Sequence, residues 1–306
     1  MNHRLTVDIA GVTLKNPIMP ASGTFGSGKE YAAFVDLNRL GAIVVKGVAS
    51  RPWPGNPPPR LAETASGMLN SVGLQNAGVM AFLAEDLPFL KQFDTKIIVN
   101  ICGHSLAEYL EVALALSDAP VDLLELNISC PNVSEGGMAF GTNRQMVEQV
   151  VSAVKKHARQ PLIVKLSPNV TDIVEIARAA ESAGADGLSL INTLLGMKID
   201  VHRRKPILAN GAGGLSGPAI KPVAIRMVYQ TARAVQIPII GMGGVMTGED
   251  AVEFLLAGAS AVAVGTANFH NPTATVDVLQ GLEAYMETYG IEDVNALRGF
   301  LFRKGR

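Results

Sequence analysis

The feature that most constrains the fold is a regular alternation of two kinds of segment. Short apolar runs, rich in β-branched residues, recur at 17–21, 42–47, 96–102, 123–129, 161–167, 187–193, 237–243 and 261–267. Runs this short and this apolar are typical of parallel strands that are covered on both faces. Stretches with helical spacing of apolar residues accompany them at 29–40, 77–93, 105–119, 143–158, 172–185, 220–235, 247–259 and 272–289.

Eight predicted strands alternating with eight predicted helices favour one α/β domain over residues 1–306, a (β/α)8 TIM barrel. An open, doubly wound sheet is the alternative. The helix boundaries carry their own signals, since polar side chains cap amino ends and glycine ends helices. The predicted amino-terminal caps are Ser105, Asn143 and either Thr171 or Asp172, and the predicted carboxyl-terminal stops are Gly184 and Gly258.

Two segments lie outside this alternation. Residues 4–15 alternate apolar and polar side chains around Ala10-Gly11, which predicts a β-hairpin that covers the amino-terminal mouth of the barrel. Residues 51–60 hold five prolines, which favour extended backbone. We expect a stiff loop inserted at the carboxyl-terminal face after the second strand, with a docking peptide for an SH3-type partner as the alternative.

Composition excludes several classes of protein. Hydrophobic residues make up 48% of the 306 and charged residues 17%, which supports a large core and excludes a disordered chain. The 26 basic and 27 acidic residues nearly cancel, which argues against nucleic acid as a partner. Two cysteines suit a reducing compartment. The amino-terminal residues lack the apolar stretch of a signal sequence, and no later run reaches the 18 apolar residues of a membrane span, so no membrane partner and a cytoplasmic location are expected.

The carboxyl ends of barrel strands carry the chemistry of such enzymes. Those ends are Ser22, Lys46, Asn100, Asn127, Lys165, Asn192, Gly243 and Gly265. Six polar side chains from six strands need partners in a buried site. Metal-binding histidine pairs, paired strand-end carboxylates and a GxSxG motif are absent from the sequence. The set indicates a planar heterocycle held by hydrogen bonds and cations, with no metal.

Glycines after the last two strands predict a phosphate site. Gly241, Gly243 and Gly244 precede a helix that starts near Thr247, and Gly265-Thr266 end the eighth strand. Backbone N–H groups reach a phosphate closely at such positions, and the loops after strands 7 and 8 are the usual phosphate site of barrels. Tight turns that bind nothing are the alternative.

Cys130 is the candidate reactive group, because it follows the fourth strand and precedes a glycine-rich stretch at 134–141 that we interpret as a lid. A buried structural thiol is the alternative, and this is how we interpret Cys102. Glu125 shares a strand face with Asn127 by the period of two. It is expected to point into the barrel, toward a partner that the sequence does not identify.

Seven motifs, taken together and in order, resemble the dihydroorotate dehydrogenases. They are NSVGLQN at 70–76, NISCPNV at 127–133, VKLSPN at 164–169, INT at 191–193, GAGGLSGPAI at 211–220, GMGGV at 241–245 and AVGTA at 263–267. These enzymes are FMN-containing barrels of pyrimidine biosynthesis, and the resemblance covers nearly the whole chain. Ala77 departs from the pattern, since relatives commonly have proline there.

The resemblance also indicates a subclass. The membrane-associated class carries an amino-terminal extension and a serine base, whereas this chain starts directly and has Cys130. The fumarate-linked class 1A typically has a PGKP-like loop after SCPNV, where this chain has SEGGMAFG. The sequence is therefore similar to the NAD-linked class 1B.

The family resemblance implies a mechanism. The Cys130 thiolate removes the C5 proton of dihydroorotate while the C6 hydride passes to N5 of FMN. Lys46 lies between the flavin and the substrate carboxylate, and Lys165 faces the N1–O2 edge of the flavin, where it stabilises the reduced anion. The other implied substrate-binding residues are Asn70, Ser71, Val72, Gly73, Leu74, Asn127, Asn192 and Thr193, with Asn132 a further candidate.

The remaining implied FMN-binding residues are Ser22, Gly47, Asn100, Asn127, Ile191 and Gly217, with Gly243, Gly244, Gly265 and Thr266 at the phosphate. Lys46 and Asn127 belong to both groups of contacts, and Lys165 belongs to the FMN-binding group. The resemblance also implies a partner subunit that carries FAD and a [2Fe-2S] cluster and reduces NAD⁺, in a heterotetramer of two catalytic and two electron-transfer subunits. Two cysteines cannot ligate such a cluster in this chain, and no early GxGxxG suggests its own NAD site.

Other functions stay open at this stage. A class 1A enzyme would pass its electrons to fumarate. Another FMN barrel, similar to dihydropyrimidine dehydrogenase or to tRNA-dihydrouridine synthase, is a second alternative, although the neutral charge argues against RNA as substrate. A phosphate-binding isomerase or aldolase, or a barrel that binds FMN without catalysis, is a third.

Overall fold

In the computed structural model, which describes residues 3–128 and 140–302, eight strands form one parallel sheet. We number these barrel strands β1 to β8: Ile18–Pro20, Ala42–Val44, Lys96–Ile101, Leu123–Asn127, Leu162–Lys165, Gly187–Leu190, Ile239–Met242 and Ala261–Val264. From β2 to β8, each strand pairs with the next one in chain order, and β8 pairs with β1. The Gly41 N–H donates to the Ile18 carbonyl at 3.0 Å, which joins the start of β2 to β1. The barrel prediction is confirmed, and the open sheet is excluded.

Helices cover the outside of the barrel. The longer ones are Leu106–Leu116, Arg144–His157, Ile173–Ser182, Lys221–Ala232, Gly248–Leu256 and Ala274–Thr288, with a short one at Ala267–His270. A continuous helical segment after β2 consists of Val79–Ala81, a π-helical turn at Phe82–Asp86, and Leu87–Leu90. Helix Arg144–His157 buries Val147, Val150, Val151 and Val154 on one face, and each buried valine contributes about 1.5–3 kcal/mol.

The predicted helix boundaries are largely confirmed. Ser105, Asn143 and Asp172 each accept a backbone hydrogen bond as N-caps, and Gly184 and Gly258 have φ of +96° and +112°. The predicted helix over 29–40 is wrong. That stretch forms two single 3₁₀ turns, Tyr31–Ala33 and Leu37–Arg39. Asp36 separates them because its backbone is extended and its side chain accepts a hydrogen bond from the Asn38 N–H, which caps the second turn.

The predicted hairpin is present, with strands Val7–Ile9 and Val12–Leu14 paired antiparallel around Ala10-Gly11. Both turn residues have positive φ, 55° and 82°, as a tight hairpin turn with the right twist requires. Lys15, directly after the hairpin, bonds to Asp94 and to the Asn38 carbonyl, near the amino-terminal starts of β3 and β2. The hairpin therefore lies at the amino-terminal mouth, as predicted.

The insertions at the carboxyl-terminal face form a sheet of their own, which the sequence did not predict. Its four antiparallel strands lie in the order Leu194–Met197, Ala212–Ser216, Gly67–Asn70 and Leu61–Thr64. A pair of two-residue strands, Ile199–Asp200 and Lys205–Pro206, extends from it. Short 3₁₀ turns complete the structure at His3–Leu5, Phe140–Thr142, Pro218–Ile220, Val294–Ala296 and Phe300–Phe302. None of the helices in the described ranges has both the length and the hydropathy of a membrane-spanning segment.

Candidate active site

A deep cavity of about 530 Å³ lies between the carboxyl ends of the barrel strands and the four-stranded inserted sheet. Strand ends form its floor, and residues of the inserted sheet such as Leu61, Met68 and Leu195 form its outer wall. This volume is typical of small-molecule sites, which occupy about 300–1,000 Å³. The cavity is therefore the candidate active site.

Seventeen residues that the sequence assigned to substrate or cofactor line this cavity. They are Ser22, Lys46, Asn70, Ser71, Val72, Gly73, Leu74, Asn127, Lys165, Ile191, Asn192, Thr193, Gly217, Gly243, Gly244, Gly265 and Thr266. Gly47 and Asn100 do not line it: Asn100 is fully buried behind the cavity wall, and Gly47 lines a smaller neighbouring cavity. Cys130 and Asn132 lie outside the described residues, as does most of the glycine-rich stretch that follows them.

Two lysines give the cavity its charge. Lys165, the last residue of β5, is only 5% exposed, and Lys46 follows β2. Burial lowers the pKa of Lys46 from its ordinary 10.5; among the nearby charges, Cys102 opposes this shift, and Lys165 and Arg60 add to it. An anionic ligand between two enclosed cations offsets their repulsion, so the cavity is suited to bind anions.

A second layer of polar groups supports the strand ends. Asn127 Nδ2 donates to Asn100 Oδ1 at 3.5 Å, and Asn100 Nδ2 donates to Glu125 Oε2 at 3.1 Å. The buried Tyr109 hydroxyl donates to the Asn127 carbonyl at 2.7 Å. As predicted, Glu125 points into the barrel, and the structure identifies the partners that the sequence did not. The two amides are therefore held in place by groups from neighbouring elements.

The loop 70–76 is fastened to the proline-rich segment 51–60. Trp53 and Asn76 exchange backbone hydrogen bonds at 2.9 and 3.1 Å, and the Asn56 N–H donates to the Val72 carbonyl at 3.0 Å. Arg60 donates to Gln75 Oε1 at 2.6 Å. The segment thus forms a loop after β2, as predicted, and these hydrogen bonds favour that interpretation over a docking peptide. The sequence did not predict that this loop also holds the cavity wall.

Glycines also line the cavity, among them Gly217 after strand Ala212–Ser216 and Gly244 after β7. A Cβ on Gly244 would lie 2.7 Å from Lys221 Cβ, and one on Gly217 would lie 2.8 Å from Gly67 Cα. Both residues also have positive φ, +80° and +95°. Only glycine fits these positions without displacement, and together they bring the loop after β7 against the start of helix Lys221–Ala232. Thr266 Oγ1 donates to Ser216 Oγ at 2.8 Å beside them.

Several cavity residues were missed by the sequence analysis. Ser167 and Asn169 line the cavity within the VKLSPN motif, where only the lysine had received a role. Asn169 Nδ2 donates to the Thr193 carbonyl at 3.0 Å, and its Oδ1 accepts from the Leu195 N–H at 2.9 Å. Their position directly after a strand end was a usable signal. The further residues missed include Gly23, Thr24, Asn56, Thr142, Gly214, Ser216, Met242 and Phe269.

These features define a class of protein: a (β/α)8 barrel enzyme with an anion-binding cavity at the carboxyl ends of its strands. The model of the family "Dihydroorotate dehydrogenase" matches residues 4–286. The chain belongs to the dihydroorotate dehydrogenase family.

Similar proteins agree with this assignment. Two relatives, from Alkaliphilus metalliredigens and Alkaliphilus oremlandii, are each 70% identical over 97–98% of this chain and 98–99% of their own length. Both are named dihydroorotate dehydrogenase B (NAD(+)), catalytic subunit, as is a 64% identical relative from Lachnoclostridium phytofermentans that covers 98% of this chain and 99% of its own. Among solved structures, the dihydroorotate dehydrogenase of Eimeria tenella in complex with ferulenol has a TM-score of 0.83 and 25% identity, covering 98% of this chain and 89% of its own.

Proposed function

We propose that this chain is the catalytic subunit of an NAD-linked dihydroorotate dehydrogenase, which oxidises (S)-dihydroorotate to orotate in de novo pyrimidine biosynthesis. The observation that carries the proposal is a single cavity lined by two lysines, by the amides of Asn127 and Asn192, and by glycines that pack closely against neighbouring segments. Relatives of 70% identity, matched over nearly their full length, bear the corresponding name.

We infer that the cofactor is FMN, one per chain, held by a single unit over residues 1–306. Gly217 and Gly244 line the cavity, and Gly244 lets the loop after β7 pack closely against the amino-terminal end of helix Lys221–Ala232. Helix amino termini favour phosphate. Bound FMN would supply a two-electron acceptor for the hydride of the substrate. The cavity fits both a flavin and a small anionic substrate by its size and charge.

The protein's own residues bind the substrate, stabilise developing charge and remove the proton. Lys46 binds the substrate carboxylate, and Lys165 provides positive charge where negative charge develops. The loop 70–74 and the side chains of Asn127, Asn192 and Thr193 hold the pyrimidine ring by hydrogen bonds. Cys130 takes the C5 proton as a thiolate, which requires the site to favour its ionised form. In the sequence, these groups lie at or after the ends of four strands, β2, β4, β5 and β6.

We further propose a partner that completes the electron path. The name of the relatives describes a catalytic subunit and NAD(+), and the sequence of this chain contains neither a four-cysteine set nor an early GxGxxG motif. An electron-transfer subunit with FAD and a [2Fe-2S] cluster, in a heterotetramer with two copies of each chain, would supply both. A cytoplasmic location remains a prediction from the sequence.

The visible spectrum of the purified chain tests the proposal, before and after dihydroorotate is added without oxygen. We expect a flavin spectrum that bleaches when substrate is added. A flavin that stays oxidised contradicts the substrate assignment, and a chain that cannot be reconstituted with FMN contradicts the cofactor. Steady turnover with fumarate by the isolated chain would assign it to the fumarate-linked class instead.

Cys130→Ser separates the proton-transfer role from the binding roles. We expect this variant to retain FMN but to slow its reduction strongly, because a serine hydroxyl is a far weaker base than a thiolate at neutral pH. Cys102→Ser is the matched control, since Cys102 is buried behind the cavity wall and is assigned no chemical step. Equal reduction rates in wild type and Cys130→Ser would remove Cys130 from the mechanism.

A further inference from the structure

Glu125 is a buried side chain that the proposed mechanism does not use. It lies on β4, two residues before Asn127, and is 2% exposed. Its Oε2 accepts from Asn100 Nδ2 at 3.1 Å, and its Oε1 accepts from Ser189 Oγ at 2.9 Å. Lys165 Nζ lies 3.8 Å from the same Oε1. Groups from β3, β5 and β6 therefore converge on the two oxygens of one side chain inside the barrel.

Glu125 lies beneath the floor of the active-site cavity. Side chains two residues apart on a strand point to the same face, and Asn127, nearer the carboxyl end of β4, is the one that lines the cavity. Lys165 lines it as well, whereas Asn100 and Ser189 are fully buried behind its wall. Asn100 Oδ1 lies 3.5 Å from Asn127 Nδ2. Glu125 thus contacts one cavity residue directly and a second through Asn100.

The choice of a polar side chain at this depth needs a physical reason. The interior of a (β/α)8 barrel is normally filled by branched apolar side chains, and burial of a polar group lowers stability unless its hydrogen bonds are satisfied. An apolar side chain would avoid that cost. It would not give Asn100 Nδ2 a fixed acceptor, nor would it hold the end of the flexible four-carbon side chain of Lys165 in one place.

We propose that Glu125 is a positioning residue, which fixes Lys165 Nζ and the Asn100 amide, and through Asn100 the Asn127 amide, at the floor of the FMN site. The inference rests on the proposed function, in which Lys165 and Asn127 belong to the site of the flavin and the substrate. Both oxygens of Glu125 are needed for this role, because one accepts from Asn100 and the other accepts from Ser189 beside Lys165.

Glu125→Gln tests the proposal, because it keeps the size of the side chain but replaces one accepting oxygen with an NH₂ group that can only donate. Either Asn100 or the pair formed by Ser189 and Lys165 then faces a donor and must move. We expect crystal structures of the variant, with and without FMN, to show Asn100 or Lys165 Nζ displaced from its wild-type position. We expect the Kd for FMN to rise by about tenfold or more. Unmoved side chains, or an unchanged Kd, overturn the proposal.

Asp122→Asn is the matched control. Asp122 precedes β4 at the opposite end of the barrel, where its Oδ2 accepts from the Ile97 N–H at 2.9 Å and its Oδ1 lies 2.9 Å from Lys96 Nζ. Both Asp122→Asn and Glu125→Gln should unfold at a lower urea concentration than the wild type, but Asp122→Asn should bind FMN with the wild-type Kd. An equal loss of FMN affinity in the two variants would indicate a general loss of structure and refute the specific role.

A double substitution separates positioning from a general effect on the barrel. If Glu125 acts through Lys165, then Glu125→Gln should weaken FMN binding less in a Lys165→Met background than in the wild type, because the two side chains are in contact. Asp122→Asn should have the same effect on FMN binding in both backgrounds. Losses from Glu125→Gln and Lys165→Met that simply add would contradict the positioning role.

If Glu125→Gln does not fold, Ser189→Ala decides. Ser189 donates to Glu125 and does not line the cavity, so its hydroxyl can affect FMN only through the side chains around it. We expect the Kd for FMN to rise by about 2- to 10-fold in this variant, and an unchanged Kd overturns the proposal.

Failure of this inference and failure of the proposed function give different results. A wild-type chain that does not bind FMN contradicts the proposed function, while the crystal structures without FMN still test the positions of Asn100 and Lys165. Bound FMN that dihydroorotate does not bleach contradicts the proposed function and leaves the measurement of FMN affinity intact. Normal bleaching of the wild type together with normal FMN affinity in Glu125→Gln contradicts this inference alone.

Discussion

Replacing Gly244 with alanine tests whether the glycine wall of the cavity is required by its geometry. Gly244 follows β7 with φ +80°. An added Cβ would lie 2.7 Å from Lys221 Cβ, 2.9 Å from the Gly217 carbonyl oxygen and 2.9 Å from the Lys221 nitrogen. Two of these atoms belong to the backbone, so they cannot be relieved by a side-chain rotation. The variant must separate the loop after β7 from the residues that begin the next helix.

The expected loss of folding stability in Gly244→Ala has two parts. A non-glycine residue in the left-handed region costs about 1–2 kcal/mol, and forced overpacking adds about 1–3 kcal/mol. We therefore expect Gly244→Ala to lower the free energy of unfolding by roughly 2–5 kcal/mol. Gly11→Ala is the matched control, because Gly11 has φ +82° and no atom within 4 Å of its added Cβ. It should show the first cost only.

Urea unfolding and FMN titration of both variants measure these effects. Because the displaced backbone lines the predicted phosphate site, the 1–3 kcal/mol of overpacking should also weaken FMN binding, by roughly 5- to 150-fold in Kd. Gly11→Ala should bind FMN as the wild type does. Equal losses of stability in the two variants, or normal FMN affinity in Gly244→Ala, would refute the prediction that close packing at the phosphate site requires glycine at position 244.

Three other predictions follow from the polar groups. Burial and nearby cations lower the pKa of Lys46 below 10.5. Because the protonated form binds anions, the affinity for orotate, measured by flavin difference spectra, should fall as pH rises through this pKa. The pH dependence should be absent in Lys46→Gln. Asn76→Ala removes three hydrogen bonds of loop 70–76, about 0.5–1.5 kcal/mol each, and should raise the KM for dihydroorotate at normal FMN content. Burial favours a higher pKa for Asp250, but hydrogen bonds from Lys221 and two backbone N–H groups outweigh it and hold this pKa below 3.8. Asp250→Asn should therefore cost about 1–2 kcal/mol at neutral pH in urea unfolding, a difference that disappears as pH falls through that lowered pKa.

The barrel was predictable because its signals are local. A buried parallel strand is apolar over its whole length, and a cap such as Asn143 or Asp172 bonds to backbone two or three residues away. The stretch 29–40 has helical spacing, yet Asp36 offers its own backbone a competing hydrogen bond. Spacing of apolar residues does not report that competition, and the helix prediction was wrong for this reason.

The inserted sheet escaped prediction because its central strand is unusual. Ala212–Ser216 contains Gly213 and Gly214, and glycine in a strand normally lowers its stability. Here a Cβ at Gly214 would lie 2.1 Å from Thr193 Oγ1, and one at Gly213 would lie 2.6 Å from the Asn70 carbonyl oxygen. Close approach of neighbouring segments explains both glycines. That approach depends on contacts between distant parts of the chain, which no local pattern contains.

In the candidate site, too, the sequence of one strand predicts which of its residues share a face, but not which residues of neighbouring strands they contact. A period of two places Glu125 and Asn127 on one face of β4, and this was predicted. Which groups they meet depends on register: Asn100 lies opposite Glu125, and Lys165 lies opposite Asn127. A shift of one residue between these strands would turn Lys165 or Asn100 out of the barrel. The ion pair at Lys165 therefore depends on packing of the whole barrel, and a substitution that alters the register of β4 should disturb the charge in the cavity without touching a residue that lines it.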